Sequence, residues 1–239
     1  MKIAIDRGNS FTKLGRFDNG LQEVLRVPHA EAPSRLRAWL AGRPASVIIS
    51  SVADSVDDLL LAAGDTGFVL PFSSSTPVPV AIGYHSPATL GSDRIANAVG
   101  AVAEFGKTNC LVVDCGTCFT YTLIIDGRLE GGAISPGIQL RFRALHDGTG
   151  RLPLTQPAAH PAWVGRDTVS SLQSGVQLGS LVELAGMIEA YCSQVDALNV
   201  ILTGGDAPVF EPHLKTPIFA RPNLTLSGLY EILCYNERH

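Results

Sequence analysis

The sequence is poor in the features that would send it to a membrane or to a nucleic acid. No stretch of its 239 residues approaches the run of about 18 apolar residues that a spanning helix needs, so no membrane partner is expected. Charged residues make up only 17% against 46% hydrophobic, which excludes a disordered chain and predicts a buried core. Positive charge is in deficit: 18 Lys and Arg face 22 Asp and Glu, a net of −4. That removes the electrostatic case for a nucleic-acid or other polyanionic macromolecular partner. The five cysteines, Cys110, Cys115, Cys118, Cys192 and Cys234, are odd in number and scattered, unlike a disulfide framework. A zinc site would need a second pair or histidines at matching spacing, and the six histidines are dispersed. Cys115 and Cys118 form a C-x-x-C that is either a redox pair or two small residues beside a tight turn. The opening "MKIAIDRG" meets Asp6 too early for a secretory signal core, and lipidation motifs are lacking, so the expected location is cytoplasmic.

What is present is an alternation of strands and helices. Lys2 to Val27 reads as three strands, with "DNG" at Asp18–Gly20 as a hairpin turn. Helices are expected near Pro33–Ala41, over Asp54–Ala63, from Ser92 to a stop at Gly106, and from Thr168 to about Gln194. Short strands are expected at Val47–Ser50 and Gly67–Leu70. "LNVILTGGDA" is a strand ending on paired glycines, and "LSGLYEILCYN" is a last helix.

Two stretches repeat. "IDRGNSFTKLGRFDNGL" lies over "VDCGTCFTYTLIIDGRL", with Asp6 on Asp114, Gly8 on Gly116, Asn9 on Thr117, Phe11 on Phe119 and Thr12 on Thr120. The repeat implies two similar halves, residues 1–107 and 108–239, each opening with a hairpin whose loop carries a carboxylate and amide or hydroxyl groups. A glycine there lets the backbone approach a ligand closely. Successive N–H groups with Asn, Ser or Thr side chains cradle phosphate oxygens. The strand-ending Asp can hold a metal ion that offsets phosphate charge, and Lys13 supplies a mobile cation. Two such loops facing across a cleft would grip a triphosphate.

The pattern resembles the actin/Hsp70/sugar-kinase superfamily, and within it the type III pantothenate kinases. "DRGNSFTK" resembles that family's first phosphate motif and "DCGTCFT" its second phosphate loop. "GYHSPATLGSDR" is similar to its Gly-Tyr…Leu-Gly-x-Asp-Arg substrate segment, the most specific match. "GGAISPG", "DTVSSLQSG" and "LTGGDA" follow in order, so the resemblance spans nearly the whole chain. It implies an α/β fold of the duplicated actin-like (ribonuclease H-like) ATPase/kinase type, two similar halves around a nucleotide cleft. It implies phosphorylation of the primary hydroxyl of pantothenate by ATP with Mg²⁺, a monovalent cation (K⁺ or NH₄⁺) and a homodimer.

The same resemblance assigns residues. Asp93 would be the base that takes the hydroxyl proton. An acid in a helix's first turn also suits the helix dipole. Tyr84, Gly91, Ser92, Arg94 and Thr168 would contact the acceptor, Arg94 as a planar bidentate cation. Asp6, Arg7, Gly8, Asn9, Ser10, Phe11, Thr12 and Lys13, with Thr117, would contact ATP. Asp6 would help place Mg²⁺, directly or through water, and Asp114 would hold the monovalent cation. Arg7, Cys118 and Phe119 depart from the family pattern, and the Arg7 guanidinium is a candidate to replace some of that cation's charge. Two alternatives stand beside this: a kinase of the superfamily with another small acceptor, and a non-catalytic nucleotide-binding regulatory relative.

Overall fold

The computed structural model describes residues 1–52 and 55–238. Its strands are β1 (Lys2–Arg7), β2 (Thr12–Phe17), β3 (Leu21–Val27), β4 (Ser46–Ser51), β5 (Val69–Pro71), β6 (Ala81–Ile82), β7 (Cys110–Cys115), β8 (Cys118–Ile125), β9 (Arg128–Pro136), β10 (Asn199–Thr203) and β11 (Ile218–Ala220). Its helices are α1 (Ala32–Leu40), α2 (Asp57–Ala63), α3 (Ser92–Phe105), α4 (Ile138–Asp147), α5 (Thr168–Gln173), α6 (Gly179–Gln194), α7 (Ala207–Phe210) and α8 (Leu224–Asn236).

Two sheets carry the fold, and they share a strand order. The first runs β3-β2-β1-β4-β5, and the second runs β11-β10-β7-β8-β9-β6. Read from its hairpin, each places its third, second, first, fourth and fifth strands side by side. The repeat seen at the two loops therefore extends to topology. The chain divides into two compact units: Met1–Thr108 with Thr122–Gly131 and Asn223–His239, and Asn109–Tyr121 with Gly132–Pro222. The first break adjoins the expected boundary at residue 107. The second unit is not contiguous to the end of the chain, because the last helix belongs to the first unit.

In the first unit, alternation along β1 sorts the side chains. Ile3 and Ile5, with Leu14, Val27 and Ile49, face Leu36 and Leu40 of α1 and Leu59 of α2 in one buried cluster. On the other face, Phe17 stacks on Tyr230 of α8 with ring centroids 4.4 Å apart. Helix α8 lies directly on α3. A Cβ on Gly228 would collide with the Ala96 carbonyl, and one on Gly100 would come within 2.8 Å of the Leu224 carbonyl. The buried Thr225 hydroxyl donates to the Asn97 side-chain carbonyl across this contact at 2.8 Å. The second unit has its own core, in which Phe119, Tyr121, Phe142, Leu184, Ile188 and Phe210 are almost wholly buried.

Most expected elements form, with changes at their ends. The β2–β3 turn places Asn19 at φ 53° and Gly20 at φ 120°, as a tight hairpin demands. The helix expected over Asp54–Ala63 starts at Asp57; Asp54 lies outside the described residues. The strand expected at Gly67–Leu70 forms at Val69–Pro71. The helical run from Thr168 to Gln194 is interrupted by a π-helical turn at Ser174–Leu178, between the two regular helices. No helix among the described residues is long and apolar enough to cross a membrane.

Candidate functional site

The "DRGNSFTK" stretch spans the end of β1, the connection and the start of β2. Gly8 N–H donates to the Phe11 carbonyl at 3.1 Å, leaving Asn9, Ser10 and Phe11 exposed at the tip. Strand register explains why a lysine follows the carboxylate by seven residues. Antiparallel pairing sets Lys13 directly opposite Asp6, so the two share a face. Parallel pairing sets Ser50 of β4 on the other side of Asp6. The buried Ser50 hydroxyl donates to Ser92 Oγ at 2.8 Å. Ser50, beside Asp6 in the sheet, thereby links β4 to the start of α3, although the two are distant in sequence.

The side chain of Arg7 is engaged within the first unit. Adjacent strand residues point to opposite faces, so Arg7 turns away from Asp6. Its guanidinium forks onto the Asp58 carboxylate (2.8 and 2.7 Å) and donates to the Ser55 carbonyl at 2.6 Å. This holds the Asp58 carboxyl below the usual range and joins β1 to α2. The hydroxyl of Thr12 is also engaged, buried at 2.9 Å from His29 Nδ1.

Gly91 precedes α3, and a Cβ there would strike Asp93 Oδ1. Asp93 Oδ1 accepts the Arg94 amide at 2.8 Å. Burial pushes the Asp93 carboxyl up, against the pull of that amide and of the Arg94 charge. Arg94 is itself buried. Its Nε donates to Thr122 Oγ1 at 3.1 Å and its Nη2 to the Gly131 carbonyl at 2.9 Å, and its guanidinium lies 5.7 Å from the Tyr84 ring centre. Tyr84 follows Gly83, whose N–H is held by the Leu129 carbonyl at 2.7 Å. The structure thus brings Tyr84, Gly91, Ser92, Asp93 and Arg94 into one corner of the first unit. An acid with raised affinity for protons sits there beside a fixed cation.

The second unit assembles around Asp114. Gly116 N–H donates to the Cys118 carbonyl at 3.1 Å, closing the β7–β8 loop. Gly137 N–H, at the start of α4, donates to the Thr117 carbonyl at 3.0 Å. A Cβ on Gly137 would strike the Gly116 carbonyl, so only glycine fits. Gly204 sits at φ 98°, and its missing Cβ leaves room for Asp114 Oδ1, which a side chain would meet at 2.5 Å. Asp206 N–H then donates to the Cys115 carbonyl at 2.9 Å. Burial, with the negative charges of Asp114 and Asp206, pushes the Cys115 thiol well up. That is the opposite of what a redox thiolate needs, so Cys115 is a small core residue beside the turn. Thr168 is exposed at the first position of α5, behind an Asp167–Ser170 capping box, and lines a groove of about 660 Å³ with Arg141, Leu145 and Leu172.

Asp6 and Asp114 are oxygen donors of the kind that suit Mg²⁺ and K⁺, with Asp206 close to the second. No group of three or more His, Cys, Asp and Glu gathers among the described residues. The expected residues fall in two sets: Asp6–Lys13, Tyr84 and Gly91–Arg94 in the first unit, and Asp114, Thr117 and Thr168 in the second. Sequence reasoning did not single out Ser50, Gly137 or Asp206. The Pro-Gly before α4 and the Gly-Gly-Asp after β10 were the available signals; Ser50 has none.

The type III pantothenate kinase family model matches residues 2–191. A type III pantothenate kinase of Cytophaga hutchinsonii is 42% identical over 238 residues, covering 99% of this chain and 100% of that one. Among solved structures, a Campylobacter jejuni protein described as a Baf family transcriptional activator aligns with TM-score 0.63 at 19% identity, over 99% of this chain and 100% of that one. A Sinorhizobium meliloti chain described as a 2-dehydro-3-deoxygalactonokinase protein aligns with TM-score 0.55 at 15% identity, over 100% and 98%. At such identities the structures speak for the fold alone, the duplicated actin-like one that the two sheets display. The near full-length identity to curated relatives goes further, and with the family match over four-fifths of the chain it means that this protein belongs to the type III pantothenate kinase family.

Proposed function

We propose that the protein transfers the γ-phosphoryl group of ATP to the primary hydroxyl of pantothenate, giving 4′-phosphopantothenate and ADP, the first step toward coenzyme A. The observation that carries this is the corner at the start of α3. There a carboxyl of raised proton affinity, Asp93, lies beside the anchored Arg94, and Ser92 bonds Ser50 on the strand next to Asp6.

Phosphoryl transfer asks a protein mainly for positioning and charge stabilisation. Asp93 orients the hydroxyl and takes its proton as the oxygen–phosphorus bond forms and ADP leaves. Arg94 cannot swing, since two acceptors grip it, so it presents its charge to the pantothenate carboxylate or the moving phosphoryl group at no reorganisation cost. Tyr84, Gly91 and Thr168 are the other acceptor contacts. The loop amides, Asn9, Ser10, Lys13 and Thr117 hold the polyphosphate. Asp6 would hold Mg²⁺ and Asp114 a monovalent cation, K⁺ or NH₄⁺; such ions, when bound, offset phosphate charge. With Arg7 engaged by Asp58, its guanidinium does not stand in for that cation in this reading. Dimer formation and a cytoplasmic location belong to the same proposal.

The test is ADP release from the purified protein with Mg-ATP, with and without pantothenate, beside Asp93→Asn. Release that depends on pantothenate and collapses in the variant supports the proposal. No pantothenate-dependent release with K⁺ or NH₄⁺ supplied overturns it.

A further inference from the structure

The first sheet continues the charged row beyond Lys13. The β2–β3 register sets Arg26 directly opposite Lys13, just as the β1–β2 register sets Lys13 opposite Asp6. Asp6, Lys13 and Arg26 therefore occupy one face in consecutive strands. Like charges placed directly opposite destabilise an antiparallel pair, and this hairpin avoids that elsewhere: Arg16 faces Glu23 and bonds it at 3.0 Å. At Lys13 and Arg26 it does not. Arg26 is exposed and has no carboxylate partner among the described residues. Its guanidinium instead sits 3.9 Å from the centre of the Phe11 ring, and Phe11 is the last residue of the phosphate loop.

We infer that Arg26 is a second phosphate-binding cation, held over the loop by Phe11 and directed at the polyphosphate of ATP. Lys13 and Arg26 are directly opposed cations on this face, an arrangement that a bound polyanion would relieve. The stack also gives Phe11 a purpose at an exposed position. An aromatic face restrains a guanidinium without consuming its N–H donors, which remain available for bonds to phosphate oxygens. A carboxylate partner would have occupied them. Arg26 is outside the residues assigned above, and its role rests on the proposed use of ATP but not on the identity of the acceptor.

The experiment is direct titration of the native protein and of Arg26→Ala with Mg-ATP, Mg-ADP and adenosine, together with KM for ATP and for pantothenate. The expected result is about tenfold weaker ATP binding and higher KM for ATP, with adenosine binding and KM for pantothenate unchanged. Arg26→Lys should recover part of the loss. Phe11→Leu should produce a smaller loss, because the guanidinium stays but is no longer restrained. Arg26→Ala binding Mg-ATP within twofold of native would overturn the inference, as would an equal loss for adenosine. If the native protein binds ATP but does not phosphorylate pantothenate, the acceptor is wrong while the titration still decides on Arg26. If it binds no ATP, both fall.

Discussion

In the β1–β2 loop, Gly8 N–H reaches three residues ahead to the Phe11 carbonyl; in the β7–β8 loop, Gly116 N–H reaches only two ahead, to Cys118. One residue of difference changes the fate of everything after it. Phe11 stays in its loop, 39% exposed under Arg26. Phe119, its partner in the sequence repeat, is drawn into a strand and fully buried, edge-on to Phe210 at 5.4 Å. Thr12 bonds His29, whereas the buried Thr120 hydroxyl has no partner among the described residues. Even the residues after the two carboxylates part company: Arg7 forks onto Asp58, and Cys115 lies under the Asp206 turn. What the loops keep in common is a carboxylate near a strand end and a glycine two residues later. The two halves have kept that pattern and let the packing diverge.

The sharpest contrast lies at the head of α3, where burial-raised Asp93 sits directly beside the buried Arg94. Asp93→Asn should lower kcat about 10²–10⁴-fold while leaving ATP affinity near native. It should also melt higher than native at neutral pH. Because the folded-state pKa of Asp93 is raised, its stabilising contribution is complete only in acid and is lost as pH rises through the raised value. Asparagine mimics the protonated form, so its advantage should be largest at neutral pH and vanish toward acid. A variant of equal or lower melting temperature at pH 7 would contradict the buried-acid account.

The two phenylalanines test the divergence of packing. Phe119→Ala should lose about 3–5 kcal/mol in urea unfolding. Phe11→Ala should stay within about 0.5 kcal/mol, as for an exposed site, with its effect falling on ATP binding instead. Equal losses would mean that the loops are packed alike. The glycines come next. Gly137→Ala should lose about 1–3 kcal/mol and raise KM for ATP, since the added methyl displaces the Gly116–Thr117 loop. Gly8→Ala, whose Cβ would meet only the Phe11 carbonyl at 3.4 Å, should be tolerated. A small effect is also expected of the Arg7–Asp58 pair. Asp58 is nearly half exposed, so Asp58→Asn should lose less than about 1 kcal/mol at neutral pH. The Asp58 carboxyl is held low, so the pair's contribution is present above the ordinary carboxylate range and fades as pH falls through the depressed value. The native and variant unfolding curves should therefore converge in acid.

Much of this was legible beforehand because it is written in local pattern. The hairpin turn at Asn19–Gly20, the α3 stop at Gly106 (φ 69°) and the two carboxylate–glycine loops need only neighbouring residues to be recognised. The side-chain partner of Arg7 was not legible, since the alternation that turns it from Asp6 is visible but Asp58 on α2 is not. Ser50 carries no signal because a serine beside a strand end is ordinary until parallel pairing sets it next to Asp6. Gly137 and Asp206 needed the sheet order, which carries α4 and the β10 turn to the second loop. The assignment of α8 to the first unit is of the same kind: its sequence predicts a helix, and only its contacts, the Gly228–Ala96 approach among them, say where it lies.

That approach has a consequence for the order of events at the ribosome. Chains emerge from the N-terminus, and domains usually fold in that order. Here α3, which bears Asp93 and Arg94, cannot acquire its closest neighbour until residues 223–238 have been synthesised, after the whole of the second unit. Helix α3 is thus among the last parts of the first unit to settle, and a nascent chain arrested before Asn223 would have its β1–β2 loop while still lacking the helix that packs on α3.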